Sequence, residues 1–211
     1  RMADYVNQVT KLHVDNAIRI LDVVGSYAEG DLARSLDRLP GKQAVANEKL
    51  DLLRKNLLDL VGEMTNMSRQ HDLGDIDVVM DVAKFKGEFQ IMARGVNDMV
   101  NGHISVKKKA MACVAEFSKG NFEAELEKFP GKKAFINENL ENLRSNLKEL
   151  VQDANMLAQA AVEGKLATRA DAAKHRGDYR KIVQGVNDTL DAVIGPLNVA
   201  AEYVDRISKG E

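Results

Sequence analysis

The side chains able to do chemistry are few and scattered. Four histidines, His13, His71, His103 and His175, lie far apart in the chain. A metal site needs His, Cys, Asp or Glu at short fixed spacings, and none of the four has such a partner in a matching local context. The single thiol, Cys113, cannot form an internal disulfide. It shares a helical spacing with Ala110, Val114 and Phe117, the setting of a small packed residue rather than a nucleophile. No glycine-rich phosphate loop, Ser-His-Asp set or pair of catalytic carboxylates stands out. Glu88 and Asp178 read as acids at helix starts, where they favour the helix dipole. The expectation is a chain with no catalytic residue, no metal and no cofactor, and not an enzyme.

Charge excludes further classes. Lys and Arg number 30 and Asp and Glu 32, so no strong net field argues for nucleic acid or an acidic surface. The run Lys107 to Lys109 reads as a solvated helix face. No apolar stretch approaches the length of a spanning helix and no signal peptide is evident, which with the lone cysteine points to a reducing, cytoplasmic setting. The abrupt start at Arg1 and the end just inside a fifth repeat read as those of a piece of a longer protein, with any membrane segment outside it.

The elements that position these residues announce themselves by repetition. A glycine followed two and six residues later by an apolar side chain occurs as Gly30, Leu32 and Leu36; Gly74, Ile76 and Met80; Gly120, Phe122 and Leu126; and Gly164, Leu166 and Ala170. Gly210 and Glu211 begin a fifth copy. Successive glycines are 44, 46, 44 and 46 residues apart, so the repeat is a 90-residue pair of unlike halves. Pro40 to Val61 matches Pro130 to Val151 at 13 of 22 positions, and Gly95-Val96-Asn97-Asp98 recurs as Gly185-Val186-Asn187-Asp188. An internal duplication accounts for both.

Between connectors the apolar pattern is heptad-like. Ala46, Leu50, Leu53, Leu57, Leu60, Met64 and Met67 alternate steps of four and three, as do Ile136, Leu140, Leu143, Leu147, Leu150, Ala154 and Leu157. Helices are predicted at about 3–29, 43–73, 88–119, 133–163 and 178–209. Glycine closes each of the first four by supplying left-handed backbone. The segments between helices, about a dozen residues each, are longer than an antiparallel hairpin needs. Extended, a dozen residues reach roughly 40 Å, enough to return the chain along a helix and leave successive helices parallel. Leu32 with Leu36, and their equivalents, would pin the connector to the helix pair.

Two parallel helices with one stripe each cannot exclude water alone. The expected state is therefore a parallel homodimer in which two chains complete four-helix bundles, with Leu50, Leu53, Leu57, Leu60, Leu140, Leu143, Leu147 and Leu150 in the dimer core. The fold expected is all-α, with bundles stacked into an elongated rod through continuous helices. Units are expected at 10–62, 55–106, 100–152 and 145–196, and the first helix of another at 196–211. The second helices are expected to start at Gly41, Glu88, Gly131 and Asp178.

This pattern of helix, glycine, connector and second parallel helix resembles HAMP domains, the signal-relay modules of bacterial chemoreceptors and sensor kinases. The segment from Pro196 to Gly210 resembles the family's first helix, with proline 14 residues before the connector glycine. Glu88 and Asp178 stand where the family places the acid that opens the second helix. The odd units depart: Lys42 and Lys132 take that place, the connectors are two residues shorter, and Pro-Gly precedes the helix. The whole chain is similar to the concatenated HAMP arrays of methyl-accepting chemotaxis receptors, including soluble aerotaxis-type ones. The resemblance implies a relay between a sensor and an output module, with a histidine kinase and a coupling protein as partners of a distal region absent here. It implies no nucleic acid and no small-molecule ligand in this fragment. A helical ligand-binding sensor and a passive coiled-coil spacer are the alternatives at this point.

Overall fold

The computed structural model describes residues 1–210, and the regular structure among them is entirely helical. Five α-helices follow one another: α1 (Met2–Ala28), α2 (Ala44–Asp72), α3 (Glu88–Ser118), α4 (Ala134–Val162) and α5 (Gly177–Ser208). A single 3-10 turn precedes each of the last four, at Gly41–Gln43, Val82–Lys84, Gly131–Lys133 and Ala172–Lys174. The chain divides into two compact halves, Arg1–Ile104 and the residues from Ser105 onward.

Helix ends follow from glycine. Gly30, Gly74, Gly120 and Gly164 all have positive φ, between 73° and 98°. The turn they make lets the next residue reach back: Asp31, Asp75, Asn121 and Lys165 donate N–H bonds to the carbonyls of Ser26, Gln70, Glu116 and Ala160. This satisfies carbonyls that the helix leaves unpaired and stops it at one residue.

Helix starts differ from expectation in the odd units. Gly41 and Gly131 do not begin α-helix; each opens a 3-10 turn, and α2 and α4 begin at Ala44 and Ala134. The reason is the left-handed conformation of both glycines, φ +57°, which reorients the extended chain leaving Pro40 and Pro130 before helix can start. Gly87 and Gly177 do the same for the even units, with φ +56° and +57°, directly before Glu88 and Asp178. Pro196 does not open a helix of its own but lies inside α5, which runs through it.

Each half holds two apolar clusters, and each cluster joins two successive helices to the connector between them. In the N-terminal half these are Val23, Tyr27 and Leu50, with Ile20, Leu32 and Leu36 against them, and then Leu60, Met67, Met80, Phe85 and Ala93. In the C-terminal half they are Cys113, Phe117 and Leu140, then Leu157, Ala170, Ala172 and Val183. Helix direction is read from paired positions. Asn16 meets Gln43 at the start of α2 while Val23 packs with Leu50, so both helices advance together and are parallel.

The glycines predict opposite effects of one substitution. Gly74→Ala forces a Cβ into a left-handed residue and should cost about 1 to 2 kcal/mol. Gly62→Ala, inside α2 with nothing within 4 Å of the new Cβ, should stabilise by roughly 0.5 to 1 kcal/mol. Thermal melts of the two variants should therefore shift in opposite directions.

Candidate functional site

The connector is the part of each unit that a helix hairpin would lack, and its hold on the helices is the site. An extended strand-like segment has unpaired backbone groups, and burying them is costly unless something pairs them. One asparagine per unit does so. Asn97, on α3, accepts from the Met80 N–H at 3.0 Å and donates to the Met80 carbonyl at 2.9 Å. Asn187, on α5, makes the same two bonds with Ala170. In the odd units Asn47 accepts from the Leu39 N–H and donates to the carbonyls of Leu36 and Asp37. Asn137 accepts from the Phe129 N–H and donates to the Glu127 carbonyl. Asn47, Asn97 and Asn187 are buried.

Apolar anchors flank the clamp. Met80 is the most enclosed at 1% exposure, and Leu39, Phe85 and Phe129 are also buried. The connector residues named by the repeat divide between two depths. Leu32, Leu36, Phe122 and Leu126 are half-buried and Ala170 is buried, while Ile76 and Leu166 remain about 40% exposed. Leu39, Phe85 and Phe129, each two residues before a left-handed glycine, are anchors the glycine word does not contain. Ninety positions after Phe85 stands a buried histidine, His175.

Polar ties differ between odd and even units. In the odd units the first helix reaches the connector, through Arg19 to Asp37 at 2.6 Å and Lys109 to Glu127. The second helix does so as well, because Arg54 donates to the Leu32 carbonyl and Arg144 to the Ala124 carbonyl. Arg144 also lies over the Phe117 ring, 5.2 Å from its centre. In the even units an acid on the first helix holds the end of the connector. Glu63 accepts from Lys84 and from the Asp81 N–H, and Asp153 accepts from His175 Nε2 at 2.7 Å. The Lys84 ammonium, then the Asp81 N–H, hold the Glu63 carboxyl below its ordinary range.

The remaining chemical residues stay apart. His71 donates from Nε2 to the Val78 carbonyl, His13 accepts from Gln43, and His103 is exposed. Cys113 is buried, with Arg144 3.9 Å from its sulfur. Among the described residues no group of three or more His, Cys, Asp or Glu could hold a metal ion, and no helix is long and apolar enough to cross a membrane. Glu88 and Asp178 lie in the first turns of α3 and α5. Of the leucines in the heptads, Leu50, Leu60, Leu140 and Leu157 are buried, Leu57, Leu143, Leu147 and Leu150 are half-buried, and Leu53 is 37% exposed.

Comparison with known proteins bears on this geometry. A model described as HAMP N-terminal domain 3 matches twice, at residues 17–58 and 106–148. The model of the second HAMP domain of methyl-accepting chemotaxis protein McpB matches 57–102, and a general HAMP domain model matches 174–211. The chain is a run of HAMP domains. Its two N3-type matches start 89 residues apart, in keeping with the internal duplication. The HAMP array is also 31% identical, over 170 residues, to methyl-accepting chemotaxis protein McpB of Pseudomonas aeruginosa. That alignment covers 74% of this chain and 25% of the relative, so the array spans about a quarter of that protein.

Two predictions follow from the clamp and its ties. Asn97→Leu leaves the Met80 N–H and carbonyl unpaired in a buried place and should destabilise by roughly 2 to 4 kcal/mol, read by denaturant unfolding; Asn97→Asp, which sets a buried carboxylate against the Met80 carbonyl, should cost no less at neutral pH and recover in part as the carboxyl is protonated. Glu63 sets a pH dependence. Its carboxyl is depressed on folding, so its contribution is present above the ordinary glutamate range and is lost as pH falls through the depressed value. The protection factor of the Asp81 amide, its rate corrected for intrinsic exchange, should be lower at pH 3 than at pH 6, and Glu63→Gln should remove most of that difference.

Proposed function

We propose that this chain is a non-enzymatic signal relay within a chemoreceptor, working as a parallel, in-register homodimer in the cytoplasm. The observation that carries the reading is the shared helix. α2 packs in the cluster of Val23, Tyr27 and Leu50 through its first half and in that of Met67, Met80 and Phe85 through its second. α4 is shared in the same way, through Leu140 and then Leu157. A rotation or tilt of such a helix in one unit is delivered to the next without a joint to absorb it. Two packings that differ by only a few kcal/mol suffice for modest input to shift populations.

The dimer is supported by the half-covered stripe. Leu53, Leu57, Leu143 and Leu147 lie on the heptad seam, yet their own chain leaves each partly exposed. A second copy would bury them, completing four-helix bundles in units at 10–62, 55–106, 100–152 and 145–196, with 196–211 entering a further unit whose Glu211 lies outside the described residues. Each of these leucines would otherwise forgo part of the roughly 1.5 to 3 kcal/mol that full burial of the side chain brings. Output would pass to a histidine kinase and its coupling protein through a region beyond this array.

Cysteine placed at Leu53 or Leu143, in a Cys113→Val background that copies Val23, tests the assembly. Rapid disulfides between copies at both positions are expected; a compact monomer, or crosslinking at neither, would overturn it. In the full receptor, Leu126→Ala should change kinase output at temperatures where the array remains folded. A change in stability alone would mark a passive spacer.

A further inference from the structure

The duplication supplies an internal reference: each residue of the fourth unit has a counterpart ninety positions earlier in the second. The second unit has a filled core of Met80, Phe85 and Ala93, with Val82 packed against it. At the matching places the fourth unit has Ala170, His175, Val183 and Ala172. Met64, on the stripe of α2, is matched by Ala154 on α4. Val183 for Ala93 and Leu190 for Val100 return only part of the lost volume. Beside these residues runs a groove of about 310 Å³ between α4 and α5, open to solvent along the exposed Val151, Ile182 and Val186. Missing core atoms weaken a site in proportion to the space left behind.

The anchor has changed in kind as well as in size. Leu39, Phe85 and Phe129 hold the other three connectors by apolar burial. In the fourth, His175 is buried and held by one hydrogen bond to Asp153. An imidazole offers less apolar surface to bury than a phenylalanine or leucine side chain, so less of this anchor's hold comes from the core. A buried imidazole that parts from its carboxylate needs another partner, and water supplies it once the connector end lifts.

We propose that the fourth unit is the compliant member of the array, its connector from Leu166 to His175 opening far more readily than the equivalent segment from Ile76 to Phe85. The inference rests on the relay reading for its use: a stiff second unit transmits, and a soft fourth unit converts helix displacement into a change of packing. The softness itself does not depend on relay.

Amide hydrogen exchange on the intact array tests it, comparing residues 170–175 with 80–85 after correction for intrinsic rates. The fourth-unit amides are expected to exchange about tenfold faster or more, because smaller buried side chains hold this connector with less apolar area. Ala170→Met combined with Ala172→Val, His175→Phe and Val183→Ala, which restores the second-unit residues at these places, should bring the two segments within about threefold of each other. The reciprocal Met80→Ala should speed exchange at 80–85. Equal protection in the unaltered chain, or faster exchange at 80–85, would overturn the proposal whether or not the array relays a signal. If the exchange difference holds but the rebuilt core leaves receptor output unchanged, the proposed use of that softness is overturned, while the relay reading stands or falls on the Leu126→Ala test.

Discussion

Each helix of this chain carries one apolar stripe, and the stripe is only partly covered by the chain's own atoms. That constraint shapes the rest. A helix pair joined by a tight turn would be antiparallel and could cover itself by adding more helices in the same domain. A parallel pair needs a connector that travels the length of a helix, and a connector that long is costly to order unless it is held. The structure holds it in three ways: left-handed glycine at the helix end, apolar anchors along its length, and an asparagine that pairs its backbone. The far side of the stripe stays partly exposed in the single chain.

The asparagine clamp decides how strongly the connector couples the helices. It sits on the second helix and grips the backbone rather than a side chain of the connector, so it fixes position without demanding a particular sequence there. Met80 and Ala170 illustrate this, since very different side chains present the same N–H and carbonyl to Asn97 and Asn187. The polar ties outside the clamp vary more freely. Arg19 with Asp37 and Lys109 with Glu127 are exposed pairs of the kind worth little to stability. Their value lies in orienting the connector of the odd units against the first helix, where the even units use Glu63 or Asp153 toward the same end of the connector.

Much of this was legible in the sequence because its signals are strong ones. Heptad spacing and the terminating glycines gave helix bounds within a residue or two, and the glycine word located the connectors. The clamp was not legible. Asn97 and Asn187 were visible as part of a repeated Gly-Val-Asn-Asp segment, but an asparagine inside a helical pattern looks like any polar residue on a solvated face. Asn47 and Asn137, recurring at the same 90-residue interval, were the missing half of that signal. Gly41 and Gly131 misled for a physical reason: a positive-φ glycine can end an extended segment as well as begin a helix, and here it makes a 3-10 turn first. Leu39, Phe85 and Phe129 escaped because they fall two residues before the second left-handed glycine of each connector, outside the word that marked the other anchors.

The central claim is that a second copy of the chain covers the stripe that the connector leaves open. Sedimentation equilibrium measures this without any label or substitution. The account predicts a particle of twice the 23.3 kDa chain mass, with helix content lost as dilution separates the copies. A fully helical monomer at 23.3 kDa across the same concentrations would contradict it.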